Sequence, residues 1–386
     1  MGHFMRIDYG KSITLAETYE NSQYRPSGFD YMRIVLSVAV VVAHSIDVSY
    51  GEAVAIRVWD TPIVGVMKLV LPMFFVLSGF LIAGSMERCR SLVSFLGLRA
   101  LRIYPALVVE VILSAFLIGP LVTHVPLGTY FSDPKFFQYL LNITGYISYE
   151  LPGVFAGNPT PDTVNMQLWT VPWELIGYAS MAVLILVGMK KHRIVALFGL
   201  VAWLIADAVQ LKLDGELRAT LGIYHDVHSG GKLMVLFLLG VTAFLYRERI
   251  PYSATLFWPS LIFSLIAPFC LPAADYLTLL PLTYVTLYLG LANPKRFAFI
   301  GLADYSYGTY LYGWVFQQFV ADLLPWSRHW YLNIALSLPL ACLAGVISWY
   351  GVEKPMQRFK KPLKVLEDRW LALRAALVRS RQDVQP

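Results

Sequence analysis

Inside one strongly apolar stretch, FDYMRIVLSVAVVVAHSIDVSY, stand Arg33 and His44, with Asp47 one turn beyond. Eleven residues at 3.6 per turn return to nearly the same face and cover about 16 Å of helix axis, so the two share a stripe at different depths. An imidazole can take the proton of a hydroxyl, and a carboxylate one turn away can orient it. Ionisable groups at membrane depth are costly and mark functional sites by default. The bland alternatives are an arginine that snorkels to the interface and a bundle histidine satisfied by its neighbours.

Glu174 lies just after a proline in QLWTVPWELIGY, inside the outer end of another apolar stretch. An ionised carboxylate there is costly unless paired, so Glu174 is a general acid or base, an orienting partner for His44, or a structural hydrogen-bonding group. Arg99 and Arg102, three residues apart in FLGLRALRIYPALVVE, fit either phosphate binding or stop-transfer charges. The stretch GLADYSYGTYLYGWVFQQF is too polar to face lipid. Asp304, Tyr307, Tyr310 and Gln317 are therefore expected to line the bundle interior or the acceptor's path. Ser78, Gly79, Gly84 and Ser85 make a small-residue face suited to close helix contact.

The pattern supplies one kind of element to hold these groups. Only 15% of the 386 residues are charged and 57% are hydrophobic, against roughly 25% charged in a soluble domain. Apolar runs long enough to cross a bilayer core alternate with short charged connections. We expect an all-α, polytopic transmembrane helix bundle of about ten transmembrane helices, near residues 30–49, 63–84, 101–121, 167–189, 194–211, 232–246, 255–271, 274–291, 299–321 and 330–350. With both termini cytoplasmic, 23 Lys and Arg fall in cytoplasmic segments and six in external ones, the asymmetry of the positive-inside rule. The net charge of +6 then reports topology, not nucleic-acid binding. Residues 1–29 form a cytoplasmic segment without the apolar core of a cleavable signal. Residues 30–350 form the transmembrane domain, and 351–386 a basic cytoplasmic tail patterned as an amphipathic helix for the anionic inner leaflet. The connection 122–166 falls outside, and a loop that long is usually functional. Cys89, Cys270 and Cys342 show neither a disulfide framework nor metal spacing, so no metal is expected.

Taken together, the motifs resemble the acyltransferase-3 family of polytopic bacterial O-acyltransferases. The resemblance rests on Arg33-x10-His44, FFVLSGFLI at 74–82, RALRIYP at 99–105, LWTVPWELIGY at 168–178, YSYGTYLY at 305–312 and VEKP at 352–355, in that order. It covers about residues 29–358. It implies transfer of a short acyl group from cytosolic acyl-CoA, acetyl-CoA first, to a hydroxyl of a cell-surface or lipid-linked saccharide at the bacterial inner membrane. It implies His44 and Glu174 as catalytic candidates, to which residue spacing adds Asp47, and Arg33, Arg99 and Arg102 on the donor side. Two departures matter. Many members have a His after the Tyr-Leu pair of the late motif, where Gly313 follows Tyr312 here. Many also carry an extracytoplasmic hydrolase-like domain, for which this sequence has only the basic tail. The partners implied are membrane lipids, acyl-CoA and the saccharide, with no nucleic acid, and a homo-oligomer is compatible with the sequence.

Two other functions stay open on the residues. In a transporter or flippase of a lipid-linked sugar, the intramembrane Arg, His and Glu would form a substrate or proton path. The absence of repeat symmetry between the halves weighs against it. An acyltransferase acting on a small secreted metabolite is the other.

Overall fold

Long runs of Leu, Val, Ile, Phe and Ala, broken by Pro, Gly and Asn, give helices in the computed structural model, which describes residues 13–59, 61, 66–221, 230–271, 274–297 and 304–382. Among these residues there is no strand, only isolated bridges between Thr14 and Pro251 and between Thr123 and Val154. The principal helices are α1 (Leu15–Asn21), α2 (Ser27–Tyr50), α3 (Glu52–Trp59), α4 (Val70–Arg88), α5 (Leu92–Leu113), α6 (Thr170–Val187), α7 (Ile194–Leu221), α8 (Gly230–Leu245), α9 (Ala254–Cys270), α10 (Leu279–Leu291), α11 (Ser306–Leu323), α12 (Trp330–Ser348) and α13 (Lys360–Gln382). Among the described residues, six helical stretches are long and apolar enough to cross a membrane: Ser27–Tyr50, Met67–Arg88, Leu92–Val122, Met166–Val187, Ile194–Leu213 and Trp330–Arg369. Helices α8, α9 and α10 are apolar but shorter. Helix α11 is the polar one, as the sequence predicts. The protein is thus an all-helical membrane bundle.

The chain forms two compact units. The first holds Met1–Leu36, Thr61–Ala83 and Ala196–Leu302. Here the small-residue face of α4 meets α8. A Cβ on Gly79 would lie 1.9 Å from the Phe237 carbonyl, and one on Gly240 would lie 2.1 Å from that of Val76. Only glycine permits so close an approach of two backbones. Beside this contact Tyr19, Phe29, Phe80 and Phe244 pack as a ring cluster, with centroids 5.2–6.1 Å apart. Helix α1 starts with a capping box between Thr14 and Glu17, which satisfies two backbone donors reciprocally.

The second unit holds Ser37–Asp60, Gly84–Val195 and Ala303–Pro386. Helices α11 and α12 approach through Gly308, whose added Cβ would meet the Cα of Gly345 at 2.7 Å. Two helices here contain a π turn, Ser114–Ile118 after α5 and Trp349–Glu353 after α12. Such turns re-aim side chains and cluster at functional sites. The long connection 122–166 contains two short helices, Leu127–Ser132 and Pro134–Leu140. The tail forms the helix that the sequence pattern predicts, and that helix makes specific contacts. In α13, Glu367 accepts the Ser91 N–H at 2.6 Å, Asp368 pairs with Arg90, and Leu363 fills the space beside Gly97. It therefore docks on the first turns of α5.

Candidate active site

Three groups of polar side chains in the second unit hold most of the expected residues. The first surrounds His44. Its Nδ1 is buried and faces the Asp47 carboxylate at 3.6 Å. Its ring stands edge-on to Trp314, with centroids 5.0 Å apart. Trp314 is fully buried, and Gln167 Oε1 accepts its backbone N–H while the Thr163 carbonyl accepts its indole N–H. Helix α2 is held here by Gln317, which donates to the Val41 carbonyl at 2.7 Å. Gln317 is buried and fixes the turn that carries His44. Residues 158–163 of the long connection are tied to this end. Gln318 donates to the carbonyls of Thr160 and Thr163, Asn158 donates to Gln318, and Thr160 donates to the Asp47 carbonyl.

The second group surrounds Arg102. Its Nη1 donates to Glu353 and its Nη2 to Asp304, both at 2.9 Å, while its guanidinium sits 5.1 Å from the Tyr307 ring centre. Ser348 donates to Glu353 and Ser306 to Asp304. The sequence reading gives Arg102 to donor phosphates; the structure closes it in a clamp with two carboxylates. Asp304 belongs to that clamp. Arg99 differs: its Nη2 donates to Ser85 at 3.0 Å, and its Nε is buried with no hydrogen-bond partner. Glu174 accepts from Tyr178 and stands within electrostatic range of Arg99, Arg102, Tyr307 and Tyr310. Its described contacts lie among the arginines and tyrosines, whereas the carboxylate beside His44 is Asp47. Tyr310 shares a hydrogen bond with Thr170 at 2.7 Å.

The third group escaped the sequence reading. Glu110, fully buried in α5, accepts from Ser114 on the following π turn and from Asn165. Asn165 also donates to the Leu311 carbonyl and accepts the Gln167 N–H. A hydrogen-bonded path thus runs from Glu110 through Asn165 and Gln167 to Trp314, the ring against His44. Glu110 is a lone carboxylate in the apolar run IYPALVVEVIL, the same signal that singles out Glu174. Glu353 could have been found as the acid of VEKP. Nearby on the external connection, burial and the charge of Glu110 raise the Tyr139 phenol well above its usual range, and burial raises that of Tyr149.

Arg33 lies in the first unit and is half-buried on α2. Gly313 has no room for a larger residue: an added Cβ would meet Val41 Cγ2 at 2.7 Å and Gln167 Nε2 at 3.1 Å. Among the described residues no group of three or more His, Cys, Asp or Glu could hold a metal ion.

Residues 27–353 match the acyltransferase domain that defines the acyltransferase-3 family. The chain belongs to that family. It is an O-acyltransferase. Among its relatives is an O-acetyl transferase of Shigella phage Sf6, 26% identical over 354 residues, which span 86% of this chain and 96% of that protein. Nodulation protein 10 of Rhizobium leguminosarum bv. viciae is 25% identical over 388 residues, covering 89% and 96%. No solved structure matches the chain. Three of the family-like motifs, RALRIYP, the start of YSYGTYLY and VEKP, meet in the Arg102 clamp. In this acyltransferase-3 protein the tightness at Gly313 accounts physically for the small residue that departs from the family pattern.

Proposed function

We propose that this acyltransferase moves a short acyl group, acetyl in the first instance, from cytosolic acyl-CoA to a hydroxyl of a cell-surface or lipid-linked saccharide. In this reading it is a ten-span protein of the bacterial inner membrane with both termini in the cytoplasm. The observation that carries the proposal is the setting of His44. With Nδ1 turned to Asp47 and the ring set by Trp314, Nε2 is the nitrogen left to accept a proton. The acceptor hydroxyl gives its proton to His44 as its oxygen attacks the thioester carbonyl carbon. The C–S bond breaks, and the departing thiolate takes a proton back. Asp47 stabilises the imidazolium between the two events. Glu174, set among Arg99, Tyr178 and Tyr307, orients the acyl-bearing end or acidifies the leaving group. Arg33 and Arg99 bear on the donor's phosphates, and the Arg102 clamp fixes their surroundings. Asp304, Tyr307, Tyr310 and Gln317 line the interior.

An acetyl group is favoured by the phage relative, an O-acetyl transferase. The test is release of thiol from acetyl-CoA by the purified full-length protein, dependent on a saccharide acceptor. Wild type releases thiol and His44→Gln does not. Release that is equal in both removes His44 from the chemistry. A wild-type protein that moves a lipid-linked sugar across vesicles without releasing thiol would return the transporter reading.

A further inference from the structure

Where α2 begins, the first unit carries an open polar cavity of about 460 Å³. Ser22, Gln23, Arg25, Asn293, Lys295 and Arg296 line it. The lining brings three cations together from opposite ends of the sequence. The turn before α2 makes this possible. Gln23 and Tyr24 adopt left-handed backbone, with φ of 55° and 59°, and reverse the chain so that the Arg25 carbonyl accepts from Arg296 at 2.8 Å. Asn293 gives its side-chain oxygen to the backbone N–H and hydroxyl of Ser27. That leaves its amide N–H groups as donors. Asp30 answers part of the positive charge through Arg296, at 3.3 Å. Against that one carboxylate stand the exposed side chains of Arg25 and Lys295.

Cations and amide donors around one cavity are the chemistry of phosphate recognition. A donor carrying several phosphates needs such a place, and Arg102 is already closed between two carboxylates. We infer that this cavity binds phosphate groups of the acyl-CoA donor. This rests on the reading of acyl-CoA as the donor. The helix that starts at the cavity carries Arg33 six residues after Ser27. On the topology proposed, the cavity opens to the cytoplasm, where the donor is.

The experiment uses purified full-length protein in nanodiscs of zwitterionic lipid. Binding of free coenzyme A, which has no acyl group to transfer, is measured by calorimetry, and KM and kcat are measured with acetyl-CoA. Arg25→Gln and Lys295→Gln each weaken coenzyme A binding and raise KM about tenfold, the loss of one charge-assisted contact, with kcat unchanged. Lys295→Arg retains wild-type binding. Wild type prefers coenzyme A to 3′-dephospho-coenzyme A, and at least one of the two Gln variants loses that preference. Variants that bind coenzyme A as tightly as wild type overturn the inference and leave the donor reading standing. A wild-type protein that neither binds coenzyme A nor releases thiol from acetyl-CoA overturns both. A difference between wild type and variants that appears only when phosphatidylglycerol is added to the discs assigns the cavity to a lipid headgroup and overturns the inference.

Discussion

In the mechanism proposed, His44 is the base that serves a hydroxyl, and its Nδ1 faces Asp47 while its ring stands edge-on to Trp314. Positioned base catalysis contributes about 10²–10⁴-fold, so His44→Gln should leave less than about a hundredth of wild-type transfer. The amount of membrane-inserted protein should be unchanged, since Gln keeps the shape and hydrogen bonding and loses only the ability to accept a proton. Initial-rate assays on purified protein check it. The two arginines should part company. Arg102→Gln leaves Asp304 and Glu353 facing each other without their cation. Breaking a buried pair costs about 3–5 kcal/mol, so that variant should unfold at a much lower temperature in detergent. Arg99→Gln should fold normally and show a raised KM for acetyl-CoA. The one hydrogen bond from its Nη2 to Ser85 carries little of the structure. The i, i+3 spacing of the two arginines was visible in the sequence. Their unlike fates were not, because Arg102's partners are 202 and 251 residues away.

Helices were legible as elements because apolar runs and their breakers are local. Each of the ten expected stretches contains one, and the polarity of α11 follows from its composition. What the pattern could not show is how elements meet. Gly313 read as a departure from a motif; its cause is Val41 across the α2–α11 contact. Gly313→Ala should therefore overpack that contact at a cost of about 1–3 kcal/mol. It should lower kcat by moving the turn that carries His44, a loss seen as reduced activity at unchanged KM. The π turns were equally invisible, since they depend on a carboxylate accepting from within the turn or nearby, as Glu110 does from Ser114. Glu110→Ala removes one acceptor of the Asn165 amide, and should cost about 1–3 kcal/mol in thermal unfolding of the purified protein.

For the whole molecule, the charge asymmetry sets a testable orientation. In a cysteine-free background, Ser132→Cys on the external connection should react with an impermeant maleimide in intact cells, and Lys361→Cys in the tail should react only after lysis. The opposite pattern would invert the topology. The Arg102 clamp has a consequence in time as well as in space. Chains enter the membrane from the N-terminus, so Arg102 is installed long before Asp304 and Glu353 are synthesised. Through that interval its cation has neither acid to answer it, and the last contact closes only when the turn at Trp349–Glu353 arrives. A nascent chain therefore carries its own incompleteness as an unmatched charge. Only a chain threaded through to its final helix loses the mark.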